Sequence, residues 1–170
     1  MRADDLLGHR GAAPEPASPS SSARFPDGAD FRIEIPSVEG PAVLAAVVRE
    51  AAQRGVVVNR VSQGSGAMVL SEAELREMAV IGRDAGLEIS LFVGPREEWG
   101  LGAQSRAGDG ATMNGSVRGI RQMRYAVEDV LRAIDCGIRG CRVAERGLQR
   151  VLSDAQKNGE IPAEVVWKMS

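Results

Sequence analysis

The chain reads as an α/β protein in which parallel strands alternate with helices: a partial (βα) barrel of about four and a half units or, alternatively, a small open α/β sheet. Three observations predict this. A strand-then-helix unit recurs four times, each helix stops at a glycine (Gly55, Gly86, Gly137, Gly159) with an apolar strand close behind it, and a fifth strand, Ala163 to Ser170, is followed by no helix. The closed form of such a fold needs eight units and roughly 200 residues or more. The sequence therefore predicts either an open domain or the front part of a barrel.

The first 30 residues precede the pattern. Pro14, Pro16, Pro19 and Pro26 interrupt any helix and Ser18 to Ser22 add a polar run, so residues 1–30 are expected to be a disordered Ala/Pro/Ser-rich leader. The barrel domain is expected over residues 31–170. Its first strand spans Phe31 to Pro36, where Phe31, Ile33 and Ile35 alternate with Arg32 and Glu34. Pro41 suits the first position of a helix that runs through an Ala/Val/Leu-rich stretch to Arg54.

Val56 to Ser62, rich in β-branched residues, is the second strand. After the turn Gly64 to Gly66, Ser71 and Glu74 form a capping-box signature for a helix ending at Ala85. The third strand, Leu87 to Val93, puts Leu87, Ile89, Leu91 and Val93 on one face and Glu88, Ser90 and Phe92 on the other. A glycine-rich loop, 94–118, interrupts the pattern and suggests a lid or binding loop. A helix from Gly119 to Asp135, a strand from Ile138 to Ala144 and a helix from Gly147 to Asn158 complete the fourth unit.

Composition narrows the function classes. With 44% hydrophobic and 26% charged residues, the chain can bury one core, and a net charge of −2 offers no broad attraction for nucleic acid or anionic membrane. No apolar run approaches the roughly 20 residues of a membrane span, and Met1 to Ala13 lack a signal-like apolar core, so a cytoplasmic protein is expected. Cys136 and Cys141 read as small buried hydrophobes, and the lone His9 lies in the leader. No metal site is expected, and with neither a Walker loop nor a full dinucleotide fingerprint the sequence leaves any cofactor unknown.

Ligands of parallel α/β folds bind beyond the carboxyl ends of the strands. The polar residues assigned there are Glu34, Asn59, Arg60, Gln63, Arg142, Glu145 and Lys168, while Glu88 and Ser90 join Glu34, Arg142 and Lys168 on the less apolar strand face that suggests a barrel interior. Their charges either pair with one another or meet a ligand. Glu34 and Lys168, brought together at one barrel mouth, would combine a general base with an electrophilic or Schiff-base group, and Glu145 is a further catalytic candidate. The turn Gln63-Gly64-Ser65-Gly66 exposes backbone amides suited to an anion, or is simply the glycine turn the geometry needs. In the long loop Arg96 suits a carboxylate or phosphate, and Trp99 would exclude water.

The segments Arg-Val-Ser-Gln-Gly-Ser-Gly from Arg60 to Gly66 and Leu-Phe-Val-Gly-Pro-Arg from Leu91 to Arg96 resemble bacterial barrel proteins related to the U32, collagenase-like peptidases. So does the run Glu-Asp-Val-Leu-Arg-Ala-Ile-Asp-Cys-Gly-Ile-Arg-Gly within Ala126 to Leu148. The resemblance covers about Phe31 to Ser170 and implies a TIM-like barrel that continues past this point, with its site near Glu34, Arg60, Gln63, Arg96, Glu145 and Lys168. The cysteine cluster and histidine motif of that family are not seen in this chain, so proteolysis does not carry over. The expectation is an enzyme-like barrel binding a small anionic or peptide-like ligand. The alternatives are a lyase or aldolase acting on a carboxylate or phosphate ester, and a non-catalytic module that self-associates through an open sheet edge.

Overall fold

The structure is a computed structural model that describes residues 22–26, 28–93, 117 and 119–169. The expected loop 94–118 lies outside the described residues but for Val117, as does most of the leader. The chain forms two units, residues 1–31 and 32–170. In the described part of the first, Gly28 N–H donates to the Phe25 carbonyl and Arg24 pairs with Asp30 at 2.6 Å.

The second unit holds five strands and four helices among its described residues. In chain order they are β1 (Glu34–Ile35), α1 (Pro41–Gln53), β2 (Arg60–Gln63), a 3-10 turn (Ala67–Val69), α2 (Glu72–Asp84), β3 (Glu88–Val93), α3 (Gly119–Asp135), β4 (Gly140–Val143), α4 (Arg146–Lys157) and β5 (Val166–Met169). Pro41 opens α1 as expected, and Ser71 and Glu74 make the full reciprocal capping box of α2. The glycines that close the four helices all have positive φ, between 63° and 96°.

All five strands are parallel and lie in the order β1-β2-β3-β4-β5. A sequential order with right-handed crossovers puts every helix on the same face, and the core shows that it does. Val61, Ile89 and Leu91 pack with Leu44 of α1, Leu75 and Met78 of α2 and Ala133 of α3. Val93, Cys141 and Val143 pack with Ala126 and Val130 of α3 and Leu148 and Leu152 of α4. These are the odd-numbered strand residues, so the even-numbered ones occupy the face without helices.

The sheet is open, with no pairing between β1 and β5, but it is strongly curved. In a flat sheet four inter-strand steps would hold its edges roughly 19 Å apart, farther than a lysine and a glutamate side chain can bridge. Yet Lys168 Nζ of β5 lies 3.1 Å from Glu34 Oε2 of β1. The helix-free face is therefore concave, the geometry of part of a (βα) barrel wall.

All five strands are shorter than the sequence predicts. β2 begins at Arg60, because Val56 and Val57 are exposed and, beyond the short β1, have no ladder to join. β-branched residues favour a strand only where a partner strand and a covering face exist. The register then sets Glu34 level with Arg60 and Glu88, the first residues of β2 and β3. Glu34 and Arg60 thus lie at the amino-terminal end of the sheet rather than at its carboxyl mouth.

Candidate functional site

The alternation of the strands places Glu34, Arg60, Ser62, Glu88, Ser90, Phe92, Gly140, Arg142 and Lys168 on the concave face. Three of them converge on one carboxylate. Glu34 accepts hydrogen bonds from Arg60 Nη1 at 3.3 Å, Arg142 Nη2 at 2.9 Å and Lys168 Nζ at 3.1 Å. Arg142 also donates to Ser62 Oγ at 3.3 Å, and Arg60 Nη2 donates to Glu88 Oε2. Lys168 Nζ stands 3.8 Å from Glu88 Oε1, an ion pair beyond hydrogen-bond reach.

This network joins residues of all five strands. Its side chains are half-buried, from 17% exposed for Lys168 to 31% for Arg60 and Glu88. Burial pushes the Glu34 carboxyl upward, but the Ser62 hydroxyl, the Lys168 ammonium and the Arg60 guanidinium outweigh it and hold its pKa at about 2. The Arg60 guanidinium is pushed the other way, held more firmly protonated by Glu88 against the opposing effect of burial. The contacting groups comprise three cations, Arg60, Arg142 and Lys168, and two carboxylates, Glu34 and Glu88. The network is one positive charge in excess.

Among the described residues, three buried side-chain atoms have no hydrogen-bond partner: Arg60 Nε, Glu88 Oε1 and Ser90 Oγ. All three are on the concave face, Arg60 paired in register with Glu88 on the next strand and Ser90 two residues further along β3. Ser90 is fully buried. Phe92, also buried and outside both core clusters, sits level with Arg142 one step further on.

The structure thus brings Glu34, Arg60, Arg142 and Lys168 together and places the other candidates elsewhere. Glu145 is the N-cap of α4, its carboxylate accepting from Leu148 N–H at 2.7 Å. Gln63 is buried within its own turn, its amide donating to the Gly66 carbonyl at 3.0 Å and its carbonyl oxygen accepting from Gly66 N–H at 3.1 Å. The neighbouring amides do cradle an anion, but a resident one. Gly64 N–H and Ser65 N–H donate to the two oxygens of Glu39 at 3.1 and 3.0 Å. Burial raises the Glu39 pKa, and its bonds from Ser65 and Gly64 reverse that and hold it below the usual range. Arg96 and Trp99 lie outside the described residues.

Sequence reasoning set Glu88 and Ser90 on the polar strand face but did not name them as site residues, and it did not single out Ser62. The signal was the two-residue period: once Arg60 and Glu34 are on one face, Ser62, Glu88 and Ser90 follow by parity and register. The cysteines are on the other side of the sheet or beneath it. Cys141 packs among α3 and α4 with its thiol pushed up by burial to about 12, the opposite of an activated nucleophile.

No group of His, Cys, Asp and Glu among the described residues is arranged to hold a metal ion. None of the described helices is long and apolar enough to cross a membrane. A cavity of about 550 Å³ opens at the amino-terminal end of the sheet between α2 and the start of β4, and it meets the network only at Glu88. Its wall is mostly apolar, and Arg76 and Arg83 at its border are paired with Glu72 and Asp84. We therefore place the polar chemistry on the concave face, not in this cavity. Comparison with protein families, with curated proteins and with solved structures found no match to the chain.

Proposed function

We propose that the concave face binds a small anionic ligand, in the manner of a (βα) barrel interior. The observation that carries this is the excess of one positive charge among five contacting groups on the helix-free face. A purely structural network on a half-buried surface gains little from an unbalanced cation. An incoming carboxylate or phosphate would balance it, with Arg142 and Lys168 as the donors that reach it. Glu34 holds these cations in place. A carboxyl with a pKa of about 2 is a weak base and stays ionised, so Glu34 is suited to positioning rather than to proton transfer.

The likeness to U32 peptidases enters this reading only as an enzyme-like barrel. Peptide cleavage is no part of it, and the reaction, if there is one, belongs to whatever meets the bound anion. The test is calorimetric titration of the protein with acetate and with inorganic phosphate, at low ionic strength, beside the double variant Arg142→Gln/Lys168→Met. Millimolar or tighter binding that the double variant loses supports the proposal. Absence of binding by either anion, or binding the variant retains in full, overturns it.

A second reading, self-association through the sheet edges, is favoured by Val166 and Met169 of the edge strand β5, which are 44% and 48% exposed. Sedimentation velocity across a hundredfold concentration range checks it: a single monomeric species throughout would exclude it.

A further inference from the structure

We infer that the ligand of this face is a small 2-hydroxycarboxylate. The inference rests on the anion-binding reading above and adds the group that stands next to the charge. Its basis is the set of orphaned atoms: Arg60 Nε is a donor without an acceptor, Glu88 Oε1 an acceptor without a donor, and Ser90 Oγ can act as either. Buried polar atoms in native proteins are nearly always satisfied, and each exception asks for a missing partner. Here all the exceptions among the described residues fall on one face: Arg60 is one of the cations, Glu88 pairs with Arg60 and Lys168, and Ser90 is two residues along β3 from Glu88.

A hydroxyl group matches this set. It donates one hydrogen bond and accepts up to two, so one group can give its proton to Glu88 Oε1 and accept from both Arg60 Nε and Ser90 Oγ. An ammonium only donates; it would leave Arg60 Nε orphaned and would face three cations. A plain carboxylate only accepts, and would leave Glu88 Oε1 orphaned beside a like charge. The hydroxyl must also sit close to the carboxylate, because Glu88 Oε1 is only 3.8 Å from Lys168 Nζ. That spacing suits a hydroxyl on the carbon next to the carboxylate.

The experiment is calorimetric titration of the wild-type chain with glycolate, acetate and glycine under one set of conditions. Glycolate is expected to bind about tenfold or more tightly than acetate, the effect of hydrogen bonds that satisfy one charged acceptor and one charged donor. Glycine is expected to bind more weakly than glycolate by a similar factor of about ten. Ser90→Ala should narrow the gap between glycolate and acetate. If acetate binds as well as glycolate, the hydroxyl inference fails while the anion site stands. If glycine equals glycolate, the choice of hydroxyl over ammonium is wrong. If none of the three binds and phosphate does not either, the anion-binding reading itself falls.

Discussion

The two faces of the same five-stranded sheet are built on different terms. On the helix side, Val61, Leu91, Cys141 and Val143 have no exposed surface and pack against four helices, and polar groups that approach that side are satisfied. Arg132 of α3, for example, donates to the Leu70 carbonyl at 2.7 Å and the Ala67 carbonyl at 2.8 Å, closing the 3-10 turn. On the concave side the strands alternate charged and hydroxyl residues, one carboxylate gathers three cations, and three buried atoms are left without partners. One face shows a complete set of interactions and the other an incomplete one. The incompleteness is what supports the proposal that the concave face binds a ligand, because stability alone gives no reason to orphan a donor, an acceptor and a hydroxyl on one face.

The contrast predicts that substitutions on the helix side cost stability and those on the concave side cost less, and the largest effect should come from the core. Leu91→Ala removes a fully buried side chain in the middle of β3 and should destabilise by about 2–5 kcal/mol. Urea denaturation followed by circular dichroism would measure it, and a loss under 1 kcal/mol would mean the helix face is not the close-packed core described above. Arg132→Ala comes next. It strips two carbonyls of a charged donor and should cost about 1.5–3 kcal/mol by the same measurement, with Arg132→Lys recovering only part because an ammonium cannot span both oxygens with a planar fork.

How far the sequence foretold these faces depends on whether the cause is local. The unit pattern was legible because its signals are short-range: Pro41 at the start of α1, the Ser71/Glu74 box of α2 and the left-handed glycines after each helix act within a few residues. The contact of Glu34 with Lys168 was anticipated as a pair, but the position of Glu34 level with the first residues of β2 and β3 was not, since that depends on where β2 starts pairing. Val56 to Val58 have every local preference for a strand, yet they lie outside the ladder. The Glu39 carboxylate in the Gly64–Ser65 turn was illegible for the same reason. It is a contact between segments 25 and 26 residues apart, and only the parallel pairing of β1 with β2 brings them together.

Glu34→Gln tests the concave network itself. Removing the charge leaves three cations facing one carboxylate, and the loss at pH 7 should be about 1–2 kcal/mol, between that of exposed and buried ion pairs. The pH dependence gives a cleaner signature. The folded-state pKa of about 2 is below the ordinary 4.5, so the stabilisation from Glu34 is fully present above pH 4.5 and fades as the pH falls toward 2. Plotted against pH, the stability difference between wild type and Glu34→Gln should therefore be flat from neutrality to about pH 5 and shrink below it. A difference that stays constant down to pH 2 would show that Glu34 is not held by its cationic neighbours.

The smallest expected effect separates the two faces most sharply, because its sign differs. A buried hydroxyl with a partner is normally missed when it is deleted, by about 1 kcal/mol. Ser90 is fully buried, but its hydroxyl has no partner, so in the free protein Ser90→Ala removes an unsatisfied group and little else. The change in stability should lie within about 0.5 kcal/mol of zero or be slightly stabilising. The same substitution should weaken the preference for glycolate over acetate. A residue whose removal leaves the fold as stable as before, yet erodes ligand discrimination, is held in place for the ligand. A clear destabilisation with no change in discrimination would return Ser90 to the structural side of the comparison, and with it the argument that the concave face is incomplete by design.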